Sequence, residues 1–198
     1  GKCRLAQEIV AGARWRNIAT ASAAAQSNTA ASYAPLLAVL TQALSALRGR
    51  QLTQVLDVVH LQALAPLLPP IAQALPDLSP ASDLPPAEAR HRLQRAFIAL
   101  ILGLGRIVPH LWVIEDLQWA DAETLSLLPL LLPRLRESRT LFLLTGRSAE
   151  LRANPSVWDV LQALDRAGPF PRYTLNRLER DEIAQLVYDL LEEEDAAL

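Results

Sequence analysis

Two adjacent acids, Glu115 and Asp116, close an apolar stretch that reads LWVIED at residues 111–116. In phosphoryl-transfer sites, one acid at the carboxyl end of a buried strand joins the Mg²⁺ shell and a neighbouring acid orients the attacking water. The carboxyl edge of a parallel sheet is also where ligands bind. The pair therefore predicts a metal and phosphate site. The plainer alternative is two solvated acids that close a strand.

The Gly1-Lys2 pair opens a stretch with helical periodicity and matches the second half of the phosphate-binding pattern G-x-x-x-x-G-K-[ST]. In that pattern, backbone N–H groups and the lysine hold the phosphates, and the next hydroxyl binds Mg²⁺. Cys3 takes the hydroxyl position, and a thiol is a poor Mg²⁺ ligand. The dipeptide is common, so the alternative is a surface lysine near a terminus.

A third set of polar residues lies at the end of the stretch LFLLTGR, residues 141–147. Thr145 and Arg147 close a second expected strand there. At that edge, Arg147 is suited to contact a γ-phosphate or to stabilise charge that develops during transfer. Its alternative is an arginine paired with surface acids. Trp119 is interpreted as a packing residue and Asp121 as the N-cap of the next helix.

The elements that must position these residues follow from periodicity and turn signals. Strands are expected at 15–22, 111–116, 139–147 and 172–178, and surface loops at 23–32 and 76–86. Helices are expected at 2–13, from 35 to about 48, onward to about 75, at 86–106, after Asp121, at 156–166 and at 179–194, with Pro129 and Pro133 interrupting one of them. Apolar strands separated by helices indicate an α/β fold, a parallel sheet with helices on both faces.

The composition argues against several other classes of protein. The 198 residues are 51% hydrophobic, which suits one globular domain, and the net charge of −2 argues against nucleic-acid binding through this segment. The single cysteine excludes an internal disulfide and a cysteine-based zinc site, and it suits a reducing cytosol. Arg106, Pro109 and His110 interrupt the most apolar stretch, so no membrane span is expected.

Taken in order, these motifs resemble a known family. The blocks GKCRLAQE, SYAPLLAVL, WVIEDLQWADAETLSLL, LFLLTGRSAEL and YTLNRLERDEIAQLV are similar to those of the STAND class of AAA-related P-loop ATPases, found in large bacterial transcriptional regulators and in cyclase- or kinase-linked proteins. The resemblance implies a cytoplasmic, ATP-dependent switch that hydrolyses ATP slowly, couples a sensor to an output such as transcription, and often forms oligomers.

The resemblance also implies roles for individual residues. Lys2 resembles the Walker A lysine, and Gly1, Cys3 and Arg4 around it would bind the nucleotide. Glu115 and Asp116 resemble the Walker B acids, with Glu115 and Cys3 at the Mg²⁺ and Asp116 catalytic. Thr145, as a nucleotide contact, and Arg147, as a catalytic group, resemble the polar end of the sensor strand. Two departures are Cys3 in place of Ser or Thr and Glu115 in place of the commoner Asp.

The resemblance bears on the organisation of the chain as well. Because the chain contains no methionine and begins inside the phosphate-binding pattern, we expect a fragment that lacks its first strand, with that strand placed between the strands that carry Glu115 and Thr145. Residues 1–176 would form the ATPase core and 177–198 the start of a helical subdomain. The expected partners are ATP, other domains of the same longer chain and a nucleotide-dependent homo-oligomer. The alternatives are a DNA-linked loader ATPase and a non-catalytic scaffold that makes protein contacts.

Overall fold

The computed structural model describes residues 1–27, 31–45, 47, 49–168 and 170–195, the last stretch without side chains at 186 and 190–195. Three parallel strands form its sheet: β1 Ala19–Ala24, β2 His110–Glu115 and β3 Thr140–Leu144, in the order β1-β2-β3. The register pairs Ala24 with Glu115 and Ile114 with Leu144, so the three strands end at one edge.

Helices fill most of the remaining described chain. They are α1 Lys2–Trp15, α2 Ala34–Leu44, α3 Gly49–Val55, α4 Val58–Leu64, α5 Pro69–Ala74, α6 Pro86–Ile107, α7 Ala122–Leu131, α8 Ser148–Ala153, α9 Pro155–Ala167 and α10 Arg180–Asp195. Short 3₁₀ turns occupy Leu117–Trp119 and Leu132–Glu137. Helices α5, α6 and α9 each begin on a proline, whose fixed φ and missing N–H suit the first helical position.

One face of the sheet is covered by α1. The small side chains of Ala6 and Ala13 pack against Leu111 and Val113 of β2, and all four are buried. Alanines at this contact let the helix approach the strand closely, because little side-chain volume separates the two backbones.

The opposite face packs on the largest core of the protein. Trp112 and Ile114 of β2 and Phe142 of β3 meet side chains of α2 and α6, including the fully buried Phe97. Strand β2 is therefore apolar on both sides, which is why its sequence shows no alternation. The α/β prediction, a P-loop NTPase-like parallel sheet with helices on both faces, is confirmed.

The two strands that lead to the candidate site residues are neighbours in the sheet. Strands β2 and β3 pair directly from His110↔Thr140 to Ile114↔Leu144. Hydrogen bonds continue past the strand ends, because the Thr145 N–H donates to Ile114 O at 3.0 Å and the Leu117 N–H to Thr145 O at 2.9 Å. The strand expected before Gly1 is not among these residues, so its placement between the strand that carries Glu115 and the one that precedes Thr145 stays a prediction.

Two predicted strands differ from the structure. The strand expected at 15–22 begins later, at Ala19, because α1 continues to Trp15 and a turn follows at residues 16–17. The strand expected at 172–178 is wrong, because these residues join no sheet and Tyr173 is 87% exposed. Apolar and polar residues alternate in this segment, which is typical of a strand. A strand also needs a neighbour to pair with, and the pattern does not determine whether one is present.

Other boundaries follow the expectations more closely. Loop 76–86 is confirmed up to Pro85, and α10 confirms the helix expected at 179–194. The expected loop 23–32 loses its first two residues to β1, and its positions 28–30 lie outside the described residues. Pro129 lies inside α7, whereas Pro133 falls in the 3₁₀ turn that replaces the α-helix from Leu132 onward.

The outer edge of β1 is occupied by a side chain. The Gln42 amide of α2 accepts a hydrogen bond from the Ser22 N–H at 3.2 Å and donates to the Ser22 carbonyl at 2.8 Å. The amide thereby reproduces the two bonds that a neighbouring strand would offer at this position. Within the described part of the chain, no helix is both long and apolar enough to cross a bilayer.

Candidate functional site

The N-terminus of α1 lies at the carboxyl edge of the sheet. The chain turns from the end of α1 into β1 through Asn17, whose φ of 56° is one that asparagine tolerates well. The Ala19 N–H then donates to Pro109 O at 2.9 Å, at the opposite edge. Helix α1 consequently runs antiparallel to the strands and returns its first turn to the edge where Glu115 lies.

Cys3 lies near both acids of the predicted site. A side-chain hydrogen bond with Glu115 is the main cause that raises the pKa of the Cys3 thiol, followed by desolvation and by the negative charges of Glu115 and Asp116. The thiol is otherwise exposed. Two segments far apart in sequence are thus brought together, with the exposed Gly1 and Lys2 next to Cys3 at the start of the helix.

Asp116 has a left-handed backbone, with φ of 55° and ψ of 48°. Non-glycine residues adopt this conformation at a cost of roughly 1–3 kcal/mol, and aspartate is among those that tolerate it best. The residue ends β2 and begins the 3₁₀ turn, where the Trp119 N–H donates to its carbonyl at 2.9 Å. The turn directs the chain away from the sheet immediately after the two acids.

Thr145 lies beside these acids, since its backbone bonds to Ile114 and Leu117 place it on the neighbouring strand end. Arg147 continues the same segment but is exposed. Its guanidinium contacts Glu150 at 2.9 Å and lies 5.5 Å from the centre of the Trp119 ring. Trp119, expected to be a packing residue, is 38% exposed and provides this platform.

Arg4 is also held by an acid of its own helix, with its guanidinium 2.7 Å from Glu8. Arg4, predicted to bind the nucleotide, and Arg147, predicted to be catalytic, are thus both in surface ion pairs. Exposed pairs of this kind contribute under about 1 kcal/mol. Either guanidinium can therefore exchange its carboxylate for a phosphate at small cost, and their proposed contacts with a nucleotide stay predictions.

The N-cap predicted at Asp121 is confirmed. Its carboxylate accepts from the Thr124 N–H at 2.9 Å and from the Thr124 hydroxyl at 2.7 Å. It also accepts from the Tyr33 N–H at 2.8 Å, and the Tyr33 hydroxyl donates to Glu123 at 3.1 Å. The residues just before α2 are thereby fastened to the helix that follows the acids, a contact that the sequence does not indicate.

Gln118 is a residue that the sequence analysis missed. Its side chain is 4% exposed and bonds to both Asp116 and the Arg147 backbone. The available signal was a lone amide between Leu117 and Trp119, in the stretch that follows the acids. A polar side chain in such a position has to find hydrogen-bond partners once it is buried.

The donors at this edge suit Mg²⁺ in part. Glu115 offers the hard carboxylate oxygen that Mg²⁺ prefers, whereas the protonated Cys3 thiol does not fit this ion. Among the described residues no group of three or more His, Cys, Asp or Glu side chains is arranged to hold a metal. Glu115 would hold Mg²⁺ together with waters and phosphate oxygens, the coordination that this ion commonly adopts.

A comparison with protein families finds a match over most of the chain. The model described as "AAA ATPase domain" matches residues 1–144, which include α1, all three strands and both acids. No curated protein and no solved structure shows significant similarity to the chain.

Proposed function

The chain belongs to the AAA ATPase domain family, and from this premise we propose that it binds ATP with Mg²⁺ as a slowly hydrolysing, nucleotide-dependent switch. One observation carries the proposal. The first turns of α1 lie beside Glu115 at the end of β2: Glu115 lines one cavity with Ala6, Gln7 and Val10, and Cys3 is close enough for Glu115 to raise its thiol pKa. The helix start that carries Lys2 thus shares a sheet edge with a carboxylate, an arrangement that suits phosphates and their metal.

Each residue of the site has a proposed role. Lys2 binds the β- and γ-phosphates through charge-assisted hydrogen bonds, supported by the N–H groups of the first turn of α1. Glu115 would hold Mg²⁺, and the bound ion would supply positive charge to neutralise the phosphates. Asp116 orients the attacking water, Thr145 contacts the γ-phosphate, and Arg147 stabilises the charge that develops in transfer.

Assignment to the STAND class rests on the sequence blocks around these residues. The stretch EDLQWAD at residues 115–121 is the most specific of them. We accordingly propose a cytoplasmic signalling role, in which this segment regulates an output such as transcription, works with further domains of a longer chain and assembles with copies of itself when nucleotide binds.

A second function is favoured by the chemistry of Cys3. Its thiol carries a raised pKa beside two acids and remains protonated, so the site lacks the hydroxyl ligand that Mg²⁺ would receive from Ser or Thr. On this ground the alternative is a scaffold that keeps the nucleotide-binding fold for protein contacts and hydrolyses nothing. Separate measurements of ATP binding and ATP turnover distinguish the two functions.

The experiment compares full-length wild type, Lys2→Ala and Arg16→Ala by titration calorimetry with ATP and Mg²⁺. Arg16 follows the far end of α1, where its guanidinium donates to Gly12 O at 2.9 Å, so Arg16→Ala removes a cation remote from the site. We expect Lys2→Ala to weaken ATP binding at least about tenfold, because a charge-assisted contact is lost. Equal affinities in all three proteins would reject the assignment of Lys2 to the phosphates.

A chemical label offers an independent test. Lys2 is the one lysine in these 198 residues, so an acyl-phosphate derivative of ATP, which acylates amines near the bound phosphates, should modify its peptide. Excess ATP should protect Lys2, and Arg16→Ala should leave the labelling unchanged. Labelling that ATP does not suppress would contradict binding at this lysine.

A further inference from the structure

The side chain of Gln118 joins the ends of two strands. Its Nε2 donates to Asp116 Oδ1 at 3.0 Å, and its Oε1 accepts from the Arg147 N–H at 3.2 Å. Asp116 comes directly after β2, and Arg147 lies shortly beyond β3. One buried amide thus connects an acid of the candidate site with the segment that leaves the neighbouring strand.

The two partners fix the orientation of the amide. A carboxylate can only accept, so it requires the Nε2 side of Gln118, and a backbone N–H can only donate, so it requires Oε1. A flipped amide would place two acceptors face to face and two donors face to face. The burial of Gln118 makes such a mismatch costly, because water cannot replace the lost bonds.

The main chain of Gln118 is held as well. The Asn154 amide donates to Gln118 O at 3.0 Å, and the same side chain accepts from the Val157 N–H at the start of α9. Gln118 is therefore anchored to the segment after β3 through its side chain and to α9 through its backbone. Its amide has little freedom to follow Asp116, so Asp116 must adapt to it.

Asp116 needs such support, because its left-handed backbone is a conformation that costs a non-glycine residue free energy. We infer that Gln118 is a positioning residue that holds the Asp116 carboxylate at a fixed place relative to the carboxyl end of β3. This inference rests on the proposed function, in which Asp116 orients water. Movement of the segment that follows β3 would be transmitted through the Gln118 amide to that carboxylate.

The test replaces Gln118 with methionine, which keeps the length of the side chain and removes both hydrogen bonds. The matched control is Gln94→Met on α6, since Gln94 is also buried and bonds only weakly to Ser126 Oγ at 3.4 Å. In the full-length protein we expect Gln118→Met to lower kcat about tenfold with KM and ATP affinity unchanged, the result of a misplaced catalytic group. Gln94→Met should retain wild-type kcat per ATP-binding site.

A double variant separates positioning from general damage. If Gln118 acts through Asp116, then Gln118→Met should lower kcat no further in an Asp116→Asn background. Equal losses in both backgrounds, or equal effects of Gln118→Met and Gln94→Met, would overturn the inference. If wild type and Asp116→Asn hydrolyse ATP equally, the proposed role of Asp116 fails instead.

A measurement without nucleotide tests the hydrogen bond between Gln118 and the Arg147 amide directly. Hydrogen exchange at the Arg147 amide, followed by NMR, should accelerate in Gln118→Met and stay unchanged in Gln94→Met, because only the first removes its acceptor. Unchanged exchange at Arg147 in Gln118→Met would overturn the inference whatever the enzymatic activity.

Discussion

Asp121 Oδ1 accepts a hydrogen bond from the backbone N–H of Tyr33 at 2.8 Å. The same carboxylate is the N-cap of α7, so it also binds the residue that precedes α2. Tyr33 has a left-handed backbone with φ of 60°, and its side chain is 3% exposed. The loop that leads into α2 is therefore tied to the helix that follows the two acids.

Removing this carboxylate should destabilise the protein by more than an ordinary helix cap does. We expect Asp121→Ala to lower the free energy of unfolding by about 2 kcal/mol, since the variant loses a cap and leaves the Tyr33 N–H without its acceptor. Asp57→Ala is the control, because Asp57 caps α4 on the surface through the His60 N–H, and about 1 kcal/mol is expected there. Urea denaturation measures both, and equal losses would contradict the linking role of Asp121.

The phenol of Tyr33 predicts a dependence on alkaline pH. Burial, the charge of Glu123 and the hydrogen bond to Glu123 raise the pKa of Tyr33 to about 12. The unfolded chain releases this proton near pH 10, so between about pH 10 and 12 it binds fewer protons than the folded protein. The stabilisation is complete below about pH 10 and is lost as the pH rises towards 12.

Urea denaturation at several alkaline pH values measures this loss. In Tyr33→Phe, the decline in unfolding free energy between about pH 10 and 12 should be smaller by up to about 2 kcal/mol. Tyr173→Phe removes an exposed phenol and should decline as wild type does. A Tyr33→Phe protein with the full wild-type decline would show that this phenol is not perturbed.

Asp116→Asn should lower ATP turnover while ATP binding persists. Asparagine also tolerates a left-handed backbone, so the substitution removes the charge and keeps the turn at φ 55°. We expect kcat to fall about a hundredfold, within the range for loss of a general base or water-orienting group. Single-turnover hydrolysis and equilibrium ATP binding check this, and wild-type turnover would move the catalytic role to Glu115 or remove it.

Cys3→Ser should raise the rate of hydrolysis. A serine hydroxyl gives Mg²⁺ a hard oxygen in place of sulfur, and the gain should lie between a few-fold and about tenfold, appearing in kcat more than in binding. The measurement is a Mg²⁺ titration of ATPase rate, with Cys3→Ala as the control that removes the thiol without adding an oxygen. Superimposable curves for wild type and Cys3→Ser would mean that the thiol is a neutral replacement.

The sequence predicted those parts of the fold that local patterns determine. The apolar run at 111–116 overlaps β2 in all but its first residue, the run at 139–147 contains β3, and Asp121 caps a helix as expected. The pairing of strands is harder to predict, because it depends on which strand edges meet, and no residue of β2 or β3 specifies its neighbouring strand. The direct β2–β3 pairing and the unpaired residues 172–178 are results of that kind.

In the candidate site, too, local patterns were predictable and contacts between distant segments were not. The two acids and the start of α1 were predicted from residue type and order, and the structure brings Cys3 to Glu115. The role of Gln118 was not predictable, because it depends on a backbone N–H of Arg147 that is far along the chain. Arg4 and Arg147 form ion pairs with Glu8 and Glu150, about one helical turn further along the chain. The motifs that assigned roles to these arginines do not include the two acids.

The amide of Gln42 on the outer edge of β1 has a consequence for solubility. Unpaired strand edges are templates on which a second molecule can add its own strand, and proteins protect them in various ways. Here an incoming strand would first have to displace both bonds of Gln42 at Ser22, in the middle of β1. Since Gln42 arrives with α2, the middle of the β1 edge is open to strand addition only until α2 docks on the sheet.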